Sequence, residues 1–329
     1  MLFNSSTIHM RYSNIKLSVI APMYNEEDII ETYLERTVDV LNHSFAEYEL
    51  ILVDDGSTDH TLSRCLSYIK ANPRIRLISF SRNYGHEIAS TAGLDHASGD
   101  LVVLMDTDLQ HPPELIPSMV KKSQTGFDVV CASRINREHE SWFKNITTRL
   151  FYRLSRKMTG FDLRSDTGNF RLLSRNVVDS LKQMKESNRH LVMMFAYVGY
   201  KTASIDYNCP PRLAGKSKYN LRKLINLSLD SIIGFSSRPL RVMAFFSVFI
   251  SIVMMLYAGF ILIEKFFSHQ QLANGVASVI FLISGLFSVL FLFLAIISEY
   301  ISRILIETKK RPLYNIKQEI TYDSINQDV

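Results

Sequence analysis

LVVLMDTDLQHPPELIP, residues 101–117, opens with an apolar run, Leu101–Met105, stops on Asp106 and Asp108, and turns at Pro112 and Pro113 into a helical pattern. Side chains alternate across a strand, so Asp106 and Asp108 face one side at the strand's end and Thr107 faces the other. Two carboxylates held that close repel unless a cation lies between them or one is protonated. Hard oxygen ligands suit Mg2+ or Mn2+, which keep part of their water and bridge to substrate phosphates. A solvated acidic turn can carry the same letters, so the position of the stretch in the fold decides its meaning.

Outward from it, short apolar runs alternate with amphipathic stretches between Ile15 and about Arg134. The runs are Lys16–Ile20, Leu50–Val53, Ile75–Phe80, Leu101–Met105 and Asp128–Ala132, and helical patterns start near Glu26, Asp59, His86 and Pro113. Strands alternating with crossover helices predict an α/β fold with a mainly parallel, Rossmann-like sheet and ligands at the carboxyl ends of its strands. Asp59 reads as an N-cap to a helix that buries Leu62, Leu66 and Ile69. Two further strand ends carry polar, turn-forming clusters: Ala21–Asp28 (APMYNEED) and Val53–Asp59 (VDDGSTD). A carboxylate in the second can accept hydrogen bonds from a base or a ribose. Because the ends of one parallel sheet converge, a single site accounts for all three clusters.

The net charge of +5 suits a phosphate-rich partner or an anionic membrane surface. No nucleic-acid-binding motif accompanies the basic residues, and much of the excess lies beside apolar stretches, so nucleic acid is excluded as a partner. Cys65, Cys131 and Cys209 are odd in number, far apart and without metal-ligand spacing, which fits packed thiols in a reducing compartment. Met1–Asn14 is polar and lacks the apolar core of a signal peptide, so the domain that follows is expected in the cytosol.

Residues 242–263 and 276–297 are uncharged apolar runs of 22 residues each, long enough to cross a bilayer as helices. Arg238 and Arg241 precede the first, and Arg303, Lys309, Lys310 and Arg311 follow the second. The connection 264–275 carries only Lys265 as a fixed cation, so both ends are expected in the cytoplasm with a short hairpin outside. Ser141–Met158 places Trp142, Phe143, Ile146, Leu150, Phe151, Leu154 and Met158 at helical spacing among basic residues. That pattern fits a helix in the membrane interface or one packed on the catalytic core. The expected organisation is a catalytic domain over 1–237, a two-helix membrane hairpin over 238–305 and a basic cytoplasmic tail over 306–329.

The motifs VIAPMYNEE, VDDGSTD, SRNYGHEIASTAGLDHASGD, MDTDLQHPPELIP, DTGNFRLLSR, RLAGKSKYN and EYISRILIETKKRP together resemble family 2 glycosyltransferases of GT-A fold. Within that family the chain is similar to polyprenyl-phosphate transferases: bactoprenol glucosyltransferases, dolichol-phosphate mannose synthases and undecaprenyl-phosphate aminoarabinose transferases. The resemblance implies transfer of one sugar, with inversion, from a nucleotide-sugar to a polyprenyl phosphate at the inner membrane, in the service of cell-envelope glycans. UDP-glucose is the first expectation for the donor, with UDP-N-acetylglucosamine, a modified arabinose and GDP-mannose behind it. Self-association through the membrane part is also known among such enzymes.

Carried onto matching positions, the resemblance implies that Pro22, Tyr24, Glu26 and Asp55 hold the base and ribose. Asp106 and Asp108 act at the ribose and metal, Asp108 being the firmer metal ligand, with Gln110 near the sugar and phosphates. Arg134, Arg212, Ser217 and Lys218 contact phosphates, a role that suits the guanidinium fork and the ammonium. Arg212–Tyr219, flanked by Pro210 and Pro211, has the composition of a mobile flap. Many relatives read GDFRL where this chain has Gly168-Asn169-Phe170-Arg171-Leu172, so an aspartate sometimes proposed as a base is replaced by Asn169. Asp166 remains available, although a phosphate with a second pKa of about 6 is already largely anionic at neutral pH. A processive polysaccharide synthase is disfavoured by the lack of a Gln-x-x-Arg-Trp motif, Trp142 being the sole tryptophan. Asn169 also leaves open a nonenzymatic nucleotide-binding membrane scaffold.

Overall fold

Uninterrupted β-branched and aliphatic runs are what strands covered on both faces require. The structure, a computed structural model that describes residues 12–135, 160, 167–208, 238–267 and 275–327, turns each run into a strand. These are β1 (Tyr12–Met23), β2 (Phe45–Asp54), β3 (Ile75–Phe80), β4 (Leu101–Leu104) and β5 (Val129–Arg134). Helices α1 (Ile30–Ser44), α2 (Thr61–Ala71), α3 (His86–His96) and α4 (Ile116–Ser123) alternate with them, the last following a 3-10 turn at Pro113–Leu115.

Two helix starts differ from the sequence reading. Helix α1 is regular from Ile30, four residues after Glu26; residues 27–29 form a turn that leads into it, with the Glu26 carbonyl accepting the amides of Ile29 and Ile30. Helix α2 begins at Thr61 with His60 in the cap position. Asp59, expected as the cap, still accepts from the Thr61 amide at 3.0 Å and its hydroxyl at 2.6 Å, satisfying an end donor of the helix from one residue earlier.

The sheet has eight strands in the order β7-β5-β6-β4-β1-β2-β3-β8, adding β6 (Thr167–Ser174), β7 (Thr202–Tyr207) and β8 (Ile316–Ile320). Strands β4, β1, β2 and β3 are parallel neighbours. The sequence reading has β5 simply continuing that series, but β6 lies between β4 and β5 and is antiparallel to both. Its Phe170, Leu172 and Leu173 are fully buried, so a stretch read for its chemistry is also a core strand. Since β5 is reversed twice relative to β4, its carboxyl end returns to the edge shared with β1, β2 and β4. Helices α5 (Arg175–Gln183) and α6 (Leu191–Val198) follow β6.

The expected basic tail is in part a folded element. Residues 316–320 pair antiparallel with β3, from Leu77 opposite Ile320 to Phe80 opposite Ile316, and α9 (Tyr322–Gln327) follows. Lys317, Gln318 and Glu319 face solvent, as the side chains of an edge strand commonly do to prevent sheet-to-sheet pairing, and that polarity hides the strand in the sequence.

The described residues divide into two compact units, one within Met1–Arg153, Phe161–Leu221 and Arg311–Val329, the other within Leu154–Gly160 and Arg222–Lys310. The second holds α7 (Arg238–Phe267) and α8 (Val276–Thr308), and both expected spans fall inside these helices. Among the described residues one stretch, the 24-residue Gly285–Thr308, is long and apolar enough to cross a membrane, and α7 contributes the shorter apolar stretch Leu240–Met254. The apolar segment of α8 therefore runs past residue 297. Glu299 and Arg303 pair at 2.9 Å one helical turn apart, while Ile301, Ile304, Leu305 and Ile306 remain exposed. The expected Ser141–Met158 helix, Asp166 and the Arg212–Tyr219 flap lie outside the described residues.

Candidate active site

At the carboxyl edge of the sheet, the loops after β1 and β2 are stitched together. The Asp55 amide donates to the Met23 carbonyl at 2.9 Å. Asn25, at φ 53°, donates its amide to the Ser57 hydroxyl and accepts the Thr58 amide on its side chain, each at 2.9 Å. Asparagine is among the few residues that tolerate the left-handed region, because its short side chain bonds locally. The Glu26 amide donates to the Thr61 hydroxyl at 2.8 Å. Pro22, on β1 opposite Val53, therefore lies with Tyr24, Glu26 and Asp55 on two adjoining strand ends.

Asp54 and Asp55 are both buried, and both are occupied. Asp54 accepts from the Ser57 amide at 2.9 Å and the Ser79 hydroxyl at 2.8 Å. Asp55 accepts the amides of Tyr84 and Gly85, at 2.7 and 2.9 Å, through its two oxygens. Burial raises its carboxyl above the ordinary value, with Asp54 adding to the rise, against the pull of those two amides. The residue read as a nucleoside contact thus also fixes the loop between β3 and α3.

In the third cluster β4 ends at Leu104, Thr107 is buried, and Asp106 and Asp108 are partly exposed. Asp106 accepts from His86 Nε2 at 2.8 Å. Its backbone amide donates to Nδ1 of His111 at 2.9 Å, which leaves the proton of the neutral ring on Nε2, 3.8 Å from Asp106 Oδ2. His111 is 1% exposed and stacks on Phe170 of β6, with centroids 5.0 Å apart and planes at 16°. Arg134, at the end of β5, lies 3.3 Å from the same Nε2 and donates through Nε to the Tyr207 hydroxyl at 3.2 Å. Asp108 accepts the Gln110 amide at 3.1 Å across Leu109, a buried residue at φ 59°. A bulky side chain in the left-handed region is strained, and such strain persists where the surroundings over-determine it.

The electrostatics follow from this packing. Burial would raise Asp106, but His111, His86 and Arg134 together hold it well below the usual carboxylate range. Burial would lower His86, but the Asp106 carboxylate overrides it and lifts the imidazole to about 9. Desolvation dominates at His111 and lowers it, against the pull of the Asp106 and Asp108 carboxylates. An imidazolium therefore stands beside one of the two carboxylates. Among the described residues no three His, Cys, Asp or Glu side chains gather as a metal cage. Two hard carboxylates with no nitrogen or sulfur cage fit an ion that takes its remaining oxygens from water and phosphate, which is the coordination habit of Mg2+ and Mn2+.

The structure gathers Pro22, Tyr24, Glu26, Asp55, Asp106, Asp108, Gln110 and Arg134 at one edge. Asp166, Arg212, Ser217 and Lys218 lie outside the described residues, and Asn169 is half-buried on β6. His86, His111 and Tyr207 were not singled out by the sequence reading. The two histidines stand inside NYGHE and DLQHPPE, where a polar residue following a strand end is the only local signal.

Residues 18–182 match the family model described as Glycosyl transferase family 2. The chain is 40% identical over 306 residues to an uncharacterized glycosyltransferase, YkcC, of Bacillus subtilis, covering 93% of this chain and 94% of that one. It is 36% identical over 305 residues to the bactoprenol glucosyl transferase of Shigella phage SfV, covering 93% and 99%. A solved glucosyl-3-phosphoglycerate synthase from Mycobacterium tuberculosis, in complex with Mn2+ and UDP, is similar with a TM-score of 0.47 and 22% identity, over 67% of this chain and 78% of that one. With the family model spanning half of its length and relatives aligned over nearly all of it, the chain belongs to glycosyl transferase family 2 and is a glycosyltransferase.

Proposed function

We propose that the enzyme transfers one sugar, with inversion, from a nucleotide-sugar to a polyprenyl phosphate at the cytoplasmic face of a membrane, with UDP-glucose as the first candidate donor. The observation that carries this reading is the alignment, at 36% identity and nearly full length, with a protein named for glucosyl transfer to bactoprenol. The apolar helix segment Gly285–Thr308 supports a membrane location for the reaction.

The sheet supports a two-span arrangement. Strand β8 follows α8 in the chain, yet it pairs with β3 in the same sheet as β1 and β2. A folded sheet cannot straddle a bilayer, so the chain between β7 and β8 crosses an even number of times. If α8 crosses, α7 is the available partner, and the basic residues at the outer ends of the pair put the catalytic domain in the cytoplasm.

In the mechanism we favour, Pro22, Tyr24, Glu26 and Asp55 bind the nucleoside, and Gln110 lies near the sugar and phosphates. Asp108, with Asp106 beside it, would hold Mg2+ or Mn2+, which when bound supplies positive charge to the departing diphosphate. His86 donates to the Asp106 carboxylate, and His111 accepts the Asp106 backbone amide, so the residue is fixed on both sides. Arg134 brings a guanidinium to the same edge, and Arg212, Ser217 and Lys218 serve the phosphates. An acceptor phosphate oxygen forms a bond to the anomeric carbon while the bond from that carbon to the nucleoside diphosphate breaks. Because that oxygen is already largely anionic at neutral pH, positioning matters more than a base, and Asp166 is the candidate if one is used.

Membranes containing the enzyme, polyprenyl phosphate and a panel of labelled nucleotide-sugars test the reading. One donor, UDP-glucose first, should yield labelled lipid of inverted anomeric configuration. Label in no lipid product, or retained configuration, would reject it.

A further inference from the structure

The chain that follows α8 reaches the catalytic edge at once. Five residues, 309–313, join Thr308 to Tyr314, and because β8 runs antiparallel to β3, its first residues lie at the carboxyl end of β3. There Tyr314 stacks on Phe80, with ring centroids 5.0 Å apart and planes at 21°. Phe80 in turn meets Tyr84 edge-on at 5.6 Å. The Asn315 side-chain amide donates to the Tyr84 hydroxyl at 2.9 Å, and the Asn315 backbone carbonyl accepts the Ser81 amide at 3.0 Å. Tyr314 also donates to Asp95 on α3 at 3.2 Å.

The loop held from this side is held on the other by the site itself. Tyr84 and Gly85 give their amides to Asp55, and His86, the next residue, reaches Asp106 at 2.8 Å. Gly56 backs directly onto the Arg82–Asn83 peptide, where an added Cβ would lie 2.6 Å from the Arg82 carbonyl carbon. Residues 81–86 therefore form a bridge with the post-helix segment on one side and two site carboxylates on the other.

We propose that Tyr314 and Asn315 are positioning residues for donor binding: they clamp the 81–86 loop so that Asp55 and Asp106 are held in place, making the segment after the last long helix a functional part of the site. The link to donor binding rests on the proposed use of Asp55 for the nucleoside. The clamp itself rests only on the contacts above.

Hydrogen exchange of the full-length enzyme in nanodiscs, combined with steady-state kinetics, tests this. Tyr314→Ala and Asn315→Ala should each speed exchange of the Tyr84 and Gly85 amides by about fivefold, the effect of losing one net hydrogen bond or an equivalent contact. The KM for the nucleotide-sugar should rise by a similar factor while kcat changes less than about twofold, the pattern of lost binding that is uniform along the reaction. Tyr314→Phe, which keeps the ring, should exchange close to wild type. Unchanged exchange in both alanine variants overturns the clamp, and faster exchange with an unaltered KM overturns its role in donor binding. Should Tyr314→Ala fail to fold, the exposed Asn315 carries the same comparison. Absence of transfer by the wild-type enzyme with every donor would count against the proposed reaction, and exchange alone would then decide the clamp.

Discussion

Replacing Gly56 with alanine tests the contact on which the donor-site loops depend. The residue sits at φ 73°, and a Cβ there would meet Arg82 C at 2.6 Å, Asn83 N at 2.8 Å and Arg82 O at 2.9 Å, all of them backbone atoms. The left-handed conformation costs an L-residue about 1–2 kcal/mol, and forcing a methyl against immovable neighbours adds about 1–3 kcal/mol. The sum, roughly 2–5 kcal/mol, corresponds to an apparent Tm lower by about 4–20 °C for a domain of this size. Gly126 is the internal control, since it has φ 93° and nothing within 4 Å of the added atom. Gly126→Ala should incur the conformational cost alone, about 2–8 °C. Scanning fluorimetry of both variants in the same detergent at one scan rate gives the comparison. A Gly56→Ala loss no larger than that of Gly126→Ala would refute the claim that the 82–83 peptide lies hard against the loop after β2.

Glu49 is 15% exposed at its side chain; burial opposes its charge, but Ser18, both donors of Ser98 and Arg76 outweigh that and lower its pKa. Its contribution is therefore present above the unfolded value of about 4.3 and lost as pH falls through the lower folded value. Glu49→Gln should cost roughly 1.5–3 kcal/mol at pH 7 and progressively less below pH of about 4, a convergence that denaturant titrations can follow. Burial pushes the Cys65 thiol up to about 12, and Cys131 is buried, so maleimide at neutral pH followed by peptide mapping should label neither without denaturant. Asp106→Asn should lower kcat by about 10²–10³-fold in a transfer assay, the scale of losing a site charge that is already in place.

The parallel half of the sheet was legible because its strands are fully buried. Leu50–Val53 reads as an unbroken apolar run and Ile75–Phe80 as a mainly apolar one interrupted by Arg76 and Ser79, and the acidic residues after β2 and β4 marked where the site would lie. Strand β6 was not legible as a strand, since its partners β4 and β5 are distant in sequence and its own Asn169 drew attention as chemistry. Edge strand β8 was hidden by the polarity that suits it to an edge. That strand also means that a truncation before α7 removes part of the catalytic sheet along with the long helices, so it cannot separate anchoring from folding. In the site, carboxylates could be inferred from alternation, but the partners of Asp106 could not. His86 and His111 reach it through tertiary packing, one from the start of α3 and the other by stacking on β6.

The central claim is that site carboxylates serve a metal-assisted transfer onto a lipid phosphate. It is tested most directly by following labelled UDP-glucose and polyprenyl phosphate with the purified enzyme in nanodiscs, with and without Mn2+, for wild type and Asp108→Ala. Labelled lipid and free UDP should form in equal amounts, dependent on the metal and lost in the variant. Labelled lipid formed equally well by Asp108→Ala, or in the presence of a chelator, would contradict it.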